Sequence, residues 1–251
     1  MSENQKPKFI DRVNVYEFTC KLPGLNQEVK FKPVNTGQLK KLLTYENETN
    51  LIVQEQALDD LISSSVLSED FNSDELYLED RFYLLVELRK KTKGEVLEFT
   101  YTCPKCKSQT LNRVDLNSLK VKPLDPGANK VVELGNEIKV HLRRTKRKHQ
   151  KEIKPGHIPK NMTPSQQQAE IQILFHACAI DKIETPEGMD EELQLKDKKW
   201  LIENIPTGDY DKIREGIEEL AFGVDLSYEI GCNACKFSQT VEVPIEQNFF
   251  S

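Results

Sequence analysis

Cys103-Pro-Lys-Cys106 and Cys232-Asn-Ala-Cys235 are the residues of this chain best suited to chemistry. A Cys-x-x-Cys turn points two sulfurs at one place, and two such turns supply the four thiolates of a tetrahedral Zn2+ site. Four sulfurs complete the shell and leave no position for water, so the ion is structural rather than catalytic. The expected cofactor is one structural Zn2+ per chain, with Cys103, Cys106, Cys232 and Cys235 as the metal ligands. The spacing also admits two reducible disulfides, or turns that keep buried cysteines. A thioredoxin-like redox pair fits less well. There the motif opens a helix, whereas here a Ser-Gln-Thr and an alternating run follow each copy. Cys20 and Cys178 lie in apolar surroundings, Phe18-Thr19-Cys20 and Ala177-Cys178-Ala179, and read as packed thiols.

Strands must position those four sulfurs. An alternating run enters each motif (Glu95 to Thr102; Val224 to Gly231) and another leaves it (Leu111 to Val114; Val241 to Ile245). Residues 95–116 and 224–246 are therefore expected to form two zinc-knuckle β-hairpins, which the ion brings together across the long stretch between them. The remaining chain reads as α+β: an arm over residues 1–10, then a single α+β domain over 11–251. It begins with a hairpin in which Val13, Val15 and Phe18 alternate before the turn Pro23-Gly24-Leu25-Asn26 leads to Val29 and Phe31. Thr36 is positioned to cap a helix carrying Leu39, Leu42 and Leu43. A second helix is expected from Ile52 to Val66. A third, from Ser73 and Asp74 through Leu88, has apolar residues nearly all round its axis and should be the most buried of the set. Gly135-Asn136 is a hairpin turn between Val131 to Leu134 and Ile138 to Leu142. Residues 160–222 read as a helical insertion. Its pieces run from Thr163 or Ser165 to Ile180, from Asp190 to Glu203, and from Asp209 to Leu220.

With 41 acidic and 35 basic residues the net charge is -6, which argues against a general nucleic-acid binder. The N-terminal residues lack the apolar stretch of a signal peptide, and nowhere do about 18 uncharged apolar residues run together. A reducing cytoplasm is expected, and it suits thiolate ligands. The one basic block runs from Arg143 to Lys151. It reads as a solvated loop or as a contact for an acidic protein partner, with Arg143, Arg144, Arg147 and Lys148 as candidate partner-binding residues. Contact with a nucleic acid through this block, in a zinc-ribbon adaptor, is the alternative function. Phe249 and Phe250 near the C-terminus either anchor in a partner's pocket or close this chain's own core. The four histidines, His141, His149, His157 and His176, share no metal spacing. Phosphate-loop, dinucleotide-binding, zinc-protease and nucleophile-elbow signatures are absent, so no catalytic residue is assigned and the chain is expected not to be an enzyme.

The order of these features resembles a known family. An early hairpin leads to Phe31-Lys32-Pro33 and a Leu-rich helix. The apolar helix from Tyr77 to Leu88 is followed directly by Lys90-Lys91-Thr92-Lys93-Gly94-Glu95-Val96-Leu97, then by an alternating strand, the Cys-x-x-Cys and Val114-Asp115-Leu116. This arrangement is similar to the baseplate hub and hub-assembly proteins of T4-like contractile-tailed bacteriophages. It covers residues 10 to 145 and is firmest over 76 to 119; beyond that it consists of length and the second cysteine hairpin. The basic block and the 152–164 loop have no counterpart in it. The resemblance implies a virus-encoded protein that helps build the central hub of the baseplate and binds phage hub or spike proteins. It implies presence in the host cytoplasm during assembly or in the virion tail, and carries over no catalytic residues.

Overall fold

Alternation around Val29 and Phe31 buries both side chains completely and pairs β1 (Phe18–Lys21) with β2 (Glu28–Phe31) in an antiparallel hairpin. The computed structural model describes residues 16–45, 48, 50–128, 130–159, 161–243 and 247–250. The expected arm over 1–10, and Val13 and Val15, lie outside the described residues. The hairpin's turn is fastened from a distance, because Gly24 N–H and Leu25 N–H donate to the two carboxylate oxygens of buried Asp80, at 2.7 and 2.9 Å.

Helix α1 (Thr36–Leu43) is capped one residue earlier than expected. Asn35 accepts from Gln38 N–H while the Gln38 side chain accepts from Asn35 N–H, both at 2.9 Å, so the reciprocal pair is made by Asn35 and not Thr36. Asn50 caps α2 (Leu51–Ser65). The third helix starts later than its sequence suggests: Ser73–Glu75 is a short 3-10 turn, and α3 runs from Leu78 to Lys93. Leu84, Leu85 and Leu88 on α3 are fully buried, but so are Asp80 and Arg81, which the apolar count did not include.

Strands β3 (Val96–Thr102) and β4 (Gln109–Asp115) form the first cysteine hairpin, and Leu97, Val114 and Leu116 root it in the core. Strand β5 (Val121–Lys122) follows. In the next hairpin, β6 (Lys130–Glu133) and β7 (Lys139–Leu142), the two left-handed positions are Asn136 and Glu137, with φ of 58° and 59°. The turn therefore lies one residue beyond Gly135-Asn136. After α4 (Arg147–Gln150), Thr163 caps α5 (Pro164–Ala179), as its spacing predicts.

The three helices expected over 160–222 form, and the structure adds strands between the first two. Helix α5 runs straight into β8 (Ile180–Thr185), which pairs with β7 and with β9 (Gly188–Asp190), giving a four-stranded antiparallel sheet in the order β6-β7-β8-β9. Leu142 faces Ile180 while His141 faces Lys182, so Asp181 is a bulge. The bulge sets buried Ile180 and Ile183 three residues apart instead of two, and a spacing of three reads as helix. Helices α6 (Leu195–Asn204) and α7 (Thr207–Leu220) complete this part, before β10 (Gly223–Val224) pairs with β5 and the second cysteine hairpin forms from β11 (Ser227–Gly231) and β12 (Ser238–Glu242).

The buried apolar side chains fall into two clusters. One gathers β1, β2, α1 to α3 and the roots of the cysteine hairpins; the other lies between the four-stranded sheet and α5 to α7. The segment after β7 joins them. Arg147 N–H donates to Leu76 O at 2.9 Å, and Leu78 N–H donates to Thr145 O at 3.1 Å. Below that seam Asp59 on α2 takes Arg81 Nε on one oxygen at 3.0 Å and Arg147 Nε on the other at 2.7 Å, with all three side chains 5 % exposed or less. Arg81 also bonds the Glu55 carboxylate and carbonyl, and Arg147 donates to Gln150 Oε1. Removing the shared acid strands two buried guanidiniums. Asp59→Ala is expected to cost about 3–5 kcal/mol of folding free energy, measured by urea denaturation, with Glu55→Ala costing less because its carboxylate is partly in water. Equal small losses for both variants would refute this.

Candidate metal centre

Each cysteine motif is a six-residue knuckle closed by the same two backbone bonds. Cys103 N–H donates to Ser108 O and Lys107 N–H to Cys103 O, both at 2.9 Å; Cys232 N–H donates to Phe237 O at 2.7 Å and Lys236 N–H to Cys232 O at 2.9 Å. Lys107 and Lys236 occupy the same left-handed position, with φ of 62° and 59°. The knuckles are thus equivalent residue for residue, and this exposes an offset in the sequence. Ser108 corresponds to Phe237, so the Ser-Gln-Thr shared by the two motifs is one residue out of register: Gln109 faces Thr102 where Ser238 faces Gly231.

The two tips meet. Cys103 Sγ lies 3.7 Å from Cys235 Sγ and Cys106 Sγ lies 3.6 Å from Cys232 Sγ, and the four sulfurs all fall within 4.8 Å of one another. Four sulfurs each about 2.3 Å from one ion stand about 3.8 Å apart in a tetrahedron, so the residues fit a metal ion. A disulfide requires about 2.05 Å, and all six cysteines are free thiols. Cys103 and Cys232, the first of each motif, are buried, while Cys106 is exposed and Cys235 half-buried, so the centre sits at the surface end of the hairpins.

Ser108 is the residue that sequence reasoning missed. Its hydroxyl lies 3.1 Å from Cys106 Sγ and 3.1 Å from Cys232 Sγ, bridging the two motifs. Hydrogen bonding from this serine, with help from the Cys235 and Ala234 amides, holds the Cys232 thiol down at about 5, and the same serine lowers Cys106. At Cys235 the Phe237 amide pulls the other way, but burial and the three neighbouring sulfurs push the thiol up to about 11. The only available signal is Ser108's place as the last residue of the first knuckle, and the apparent repeat hides it.

The other thiols and the histidines have local tasks. Burial pushes Cys20 and Cys178 up to about 12, and neither joins the cluster. His141 pairs with Glu184 and His176 with Tyr210, while His149 and His157 each accept a backbone N–H within their own turns.

The candidate partner-binding residues divide. Phe249 and Phe250 are 1 % and 0 % exposed, stacked edge to face at 5.4 Å within the first core, so they close this chain's own core and present no anchor to a partner. Arg147 is buried on Asp59, which removes it from any docking surface. Arg143 and Arg144 are half-buried and bond backbone carbonyls, and Lys148 stands at the surface beside Glu75.

A family model described as T4 bacteriophage base plate protein matches residues 13–251. The chain belongs to that family. No curated protein and no solved structure matches it. Among the described residues of this baseplate protein no helix is long and apolar enough to cross a membrane. The bridging serine generates a test. In the metal-free protein, thiolate absorbance should rise in separate steps, the first near pH 5, and Ser108→Ala should move that first step to higher pH. An unchanged titration curve would remove Ser108 from the centre.

Proposed function

We propose that this baseplate protein is a non-enzymatic component or assembly factor of the baseplate hub, which binds hub or spike proteins through its paired cysteine hairpins. The convergence of four thiols from two segments more than 120 residues apart carries the reading. The metal that suits four thiolates at this spacing in a reducing cell is Zn2+, one per chain and structural, since sulfur fills every position. Such a centre fixes two hairpins that are each two-stranded, with no further partner strand among the described residues. A rigid hairpin loses little entropy on docking, and the outer rows of these hairpins expose Leu111 and Val96 among threonines and paired charges. Host cytoplasm during assembly and the virion tail afterwards are the compartments that match this role.

The nucleic-acid adaptor is the weaker reading. Arg147 is buried, and Lys146, Lys148 and Lys151 pair with Glu75 and Asp74, so the basic block presents no continuous stripe for a phosphate backbone.

Two measurements follow. Elemental analysis of protein purified without chelator should give one zinc per chain. Cys103→Ser and Cys232→Ser should lose the metal and destabilise to a similar extent, whereas Cys178→Ser should keep it and behave as a single core change. A chain that is metal-free, with a melting temperature that added zinc leaves unchanged, would defeat the zinc assignment. Second, the tagged chain co-expressed with the hub and spike proteins of its own phage should retain at least one of them, and a Leu111→Glu variant should retain less. Failure of the folded, metal-loaded chain to retain any would overturn the binding role.

A further inference from the structure

At the seam between the two cores lies an open cleft of about 400 Å3 whose wall includes Tyr77, Arg143, Arg144, Lys146, Lys148 and Asp181. Four cations thus face one carboxylate in a protein whose net charge is -6. A further acid, Glu75, is held between Lys146 and Lys148 at 2.9 Å from each, and at half-buried Glu79 burial pushes the carboxyl up to about 7, partly offset by the charge of Arg144.

The two arginines are fixed before any ligand arrives. Arg143 donates through Nε to Cys178 O at 3.1 Å and through Nη1 to Asp181 Oδ1 at 3.3 Å. Arg144 donates through Nε to Leu220 O at 3.2 Å and through Nη2 to Asp125 O at 2.6 Å, and it has no carboxylate partner among the described residues. A guanidinium has five N–H groups, and among the described residues one terminal nitrogen of each arginine, Nη2 of Arg143 and Nη1 of Arg144, makes no hydrogen bond. Carbonyls from α5, the end of α7 and the loop after β5 hold the planes still, so a ligand need not order them. The local field is positive: burial, then the charges of Arg143, Lys148, Lys198 and Lys146, pulls His149 in the same wall down to about 4, so its ring stays neutral at physiological pH.

We propose that this cleft binds a carboxylate group on an acidic segment of a partner protein, with Arg144 as the central contact and Arg143 and Lys148 flanking it. Guanidinium forks suit the paired oxygens of a carboxylate or a phosphate alike. The protein ligand is favoured because the cleft is short. Arg147 is buried and Lys151 is paired with Asp74, so neither extends the basic surface beyond the cleft. That leaves contacts for one or two oxyanions, whereas non-specific nucleic-acid binding at physiological salt draws on many neutralised phosphates. The site is separate from the cysteine hairpins, and testing it requires no baseplate protein.

The experiment is calorimetric titration of the full-length protein with a synthetic oligo-glutamate peptide and, in parallel, with a single-stranded oligonucleotide of equal charge, at low and physiological salt. The peptide should bind, with affinity falling as salt rises. Arg144→Gln should weaken it by about tenfold or more, the loss of a charge-assisted hydrogen-bonding group. Because Arg144 also ties two carbonyls, Lys148→Gln at the surface serves as a second variant and should weaken binding several-fold while leaving the melting temperature unchanged. Asp181→Asn, which removes the one carboxylate in the wall, should strengthen binding. Absence of peptide binding, equal affinity in all three variants, or tighter binding of the oligonucleotide would each overturn the proposal.

Discussion

One carboxylate, Asp59, is shared by two guanidiniums from distant parts of the chain, and the two cores are fastened to each other through it. A buried acid with a single arginine would be balanced in charge; with two it carries a net positive charge that must be offset nearby. Glu55 supplies that balance from one turn earlier on α2, at 2.8 Å from Arg81. Hydrogen bonds to Gln150 Oε1 and the Glu55 carbonyl engage further donors of the two guanidiniums. Replacing such a group by well-packed apolar side chains is often no less stable, so its contribution here is registry: a carboxylate with two oxygens aimed at two fixed forks admits one relative position of α2, α3 and the segment after β7.

The cysteine cluster, by contrast, is placed by apolar packing. The two cysteine hairpins share no backbone ladder, and their closest polar approach below the sulfurs is Tyr228 Oη to Arg113 O at 3.5 Å. Roots in a common core bring them close: Leu97, Val114 and Leu116 from the first, Val243 with Leu226 and Tyr228 from the second. The sulfurs then pair crosswise, the first cysteine of each motif beside the second of the other, as the symmetry of two equivalent knuckles requires. Packing provides proximity, and Ser108 adds a hydroxyl within reach of two sulfurs, whose single proton stabilises one thiolate at a time.

The cysteine site and its hairpins were legible because duplicated Cys-x-x-Cys turns between alternating runs have few other uses, and the family resemblance drawn from the order of elements agrees with the match over residues 13–251. Capping residues were legible where side-chain chemistry is unambiguous, as at Thr163, and off by one where Asn35 and Thr36 competed. What escaped did so for identifiable reasons. Strand β8 hid behind the Asp181 bulge, which replaces the alternation of two by a spacing of three. The basic block looked like a solvated run because sequence charge carries no information about partners, and its acids Asp59, Asp74 and Glu75 lie far away in the chain. The aromatic pair Phe249 and Phe250 was open to two readings for a similar reason: hydrophobicity near a terminus does not say whose core it enters.

The last point reaches into the order in which this protein is made. Both the sulfur cluster and the first core join residues far apart in sequence: Cys232 lies 126 residues beyond Cys106, and Phe249 and Phe250 pack in a cluster that also holds Cys20 and Leu22. A nascent chain emerging N-terminus first can assemble the second core, whose members run from Val132 to Leu220, before the first can be finished. Until Cys232 and Cys235 emerge, Cys103 and Cys106 have no counterparts, and until Phe249 and Phe250 follow, the core beneath them lacks two aromatic rings. A chain that lacks Cys232 and Cys235 therefore keeps only the first knuckle, whose two sulfurs have no counterparts.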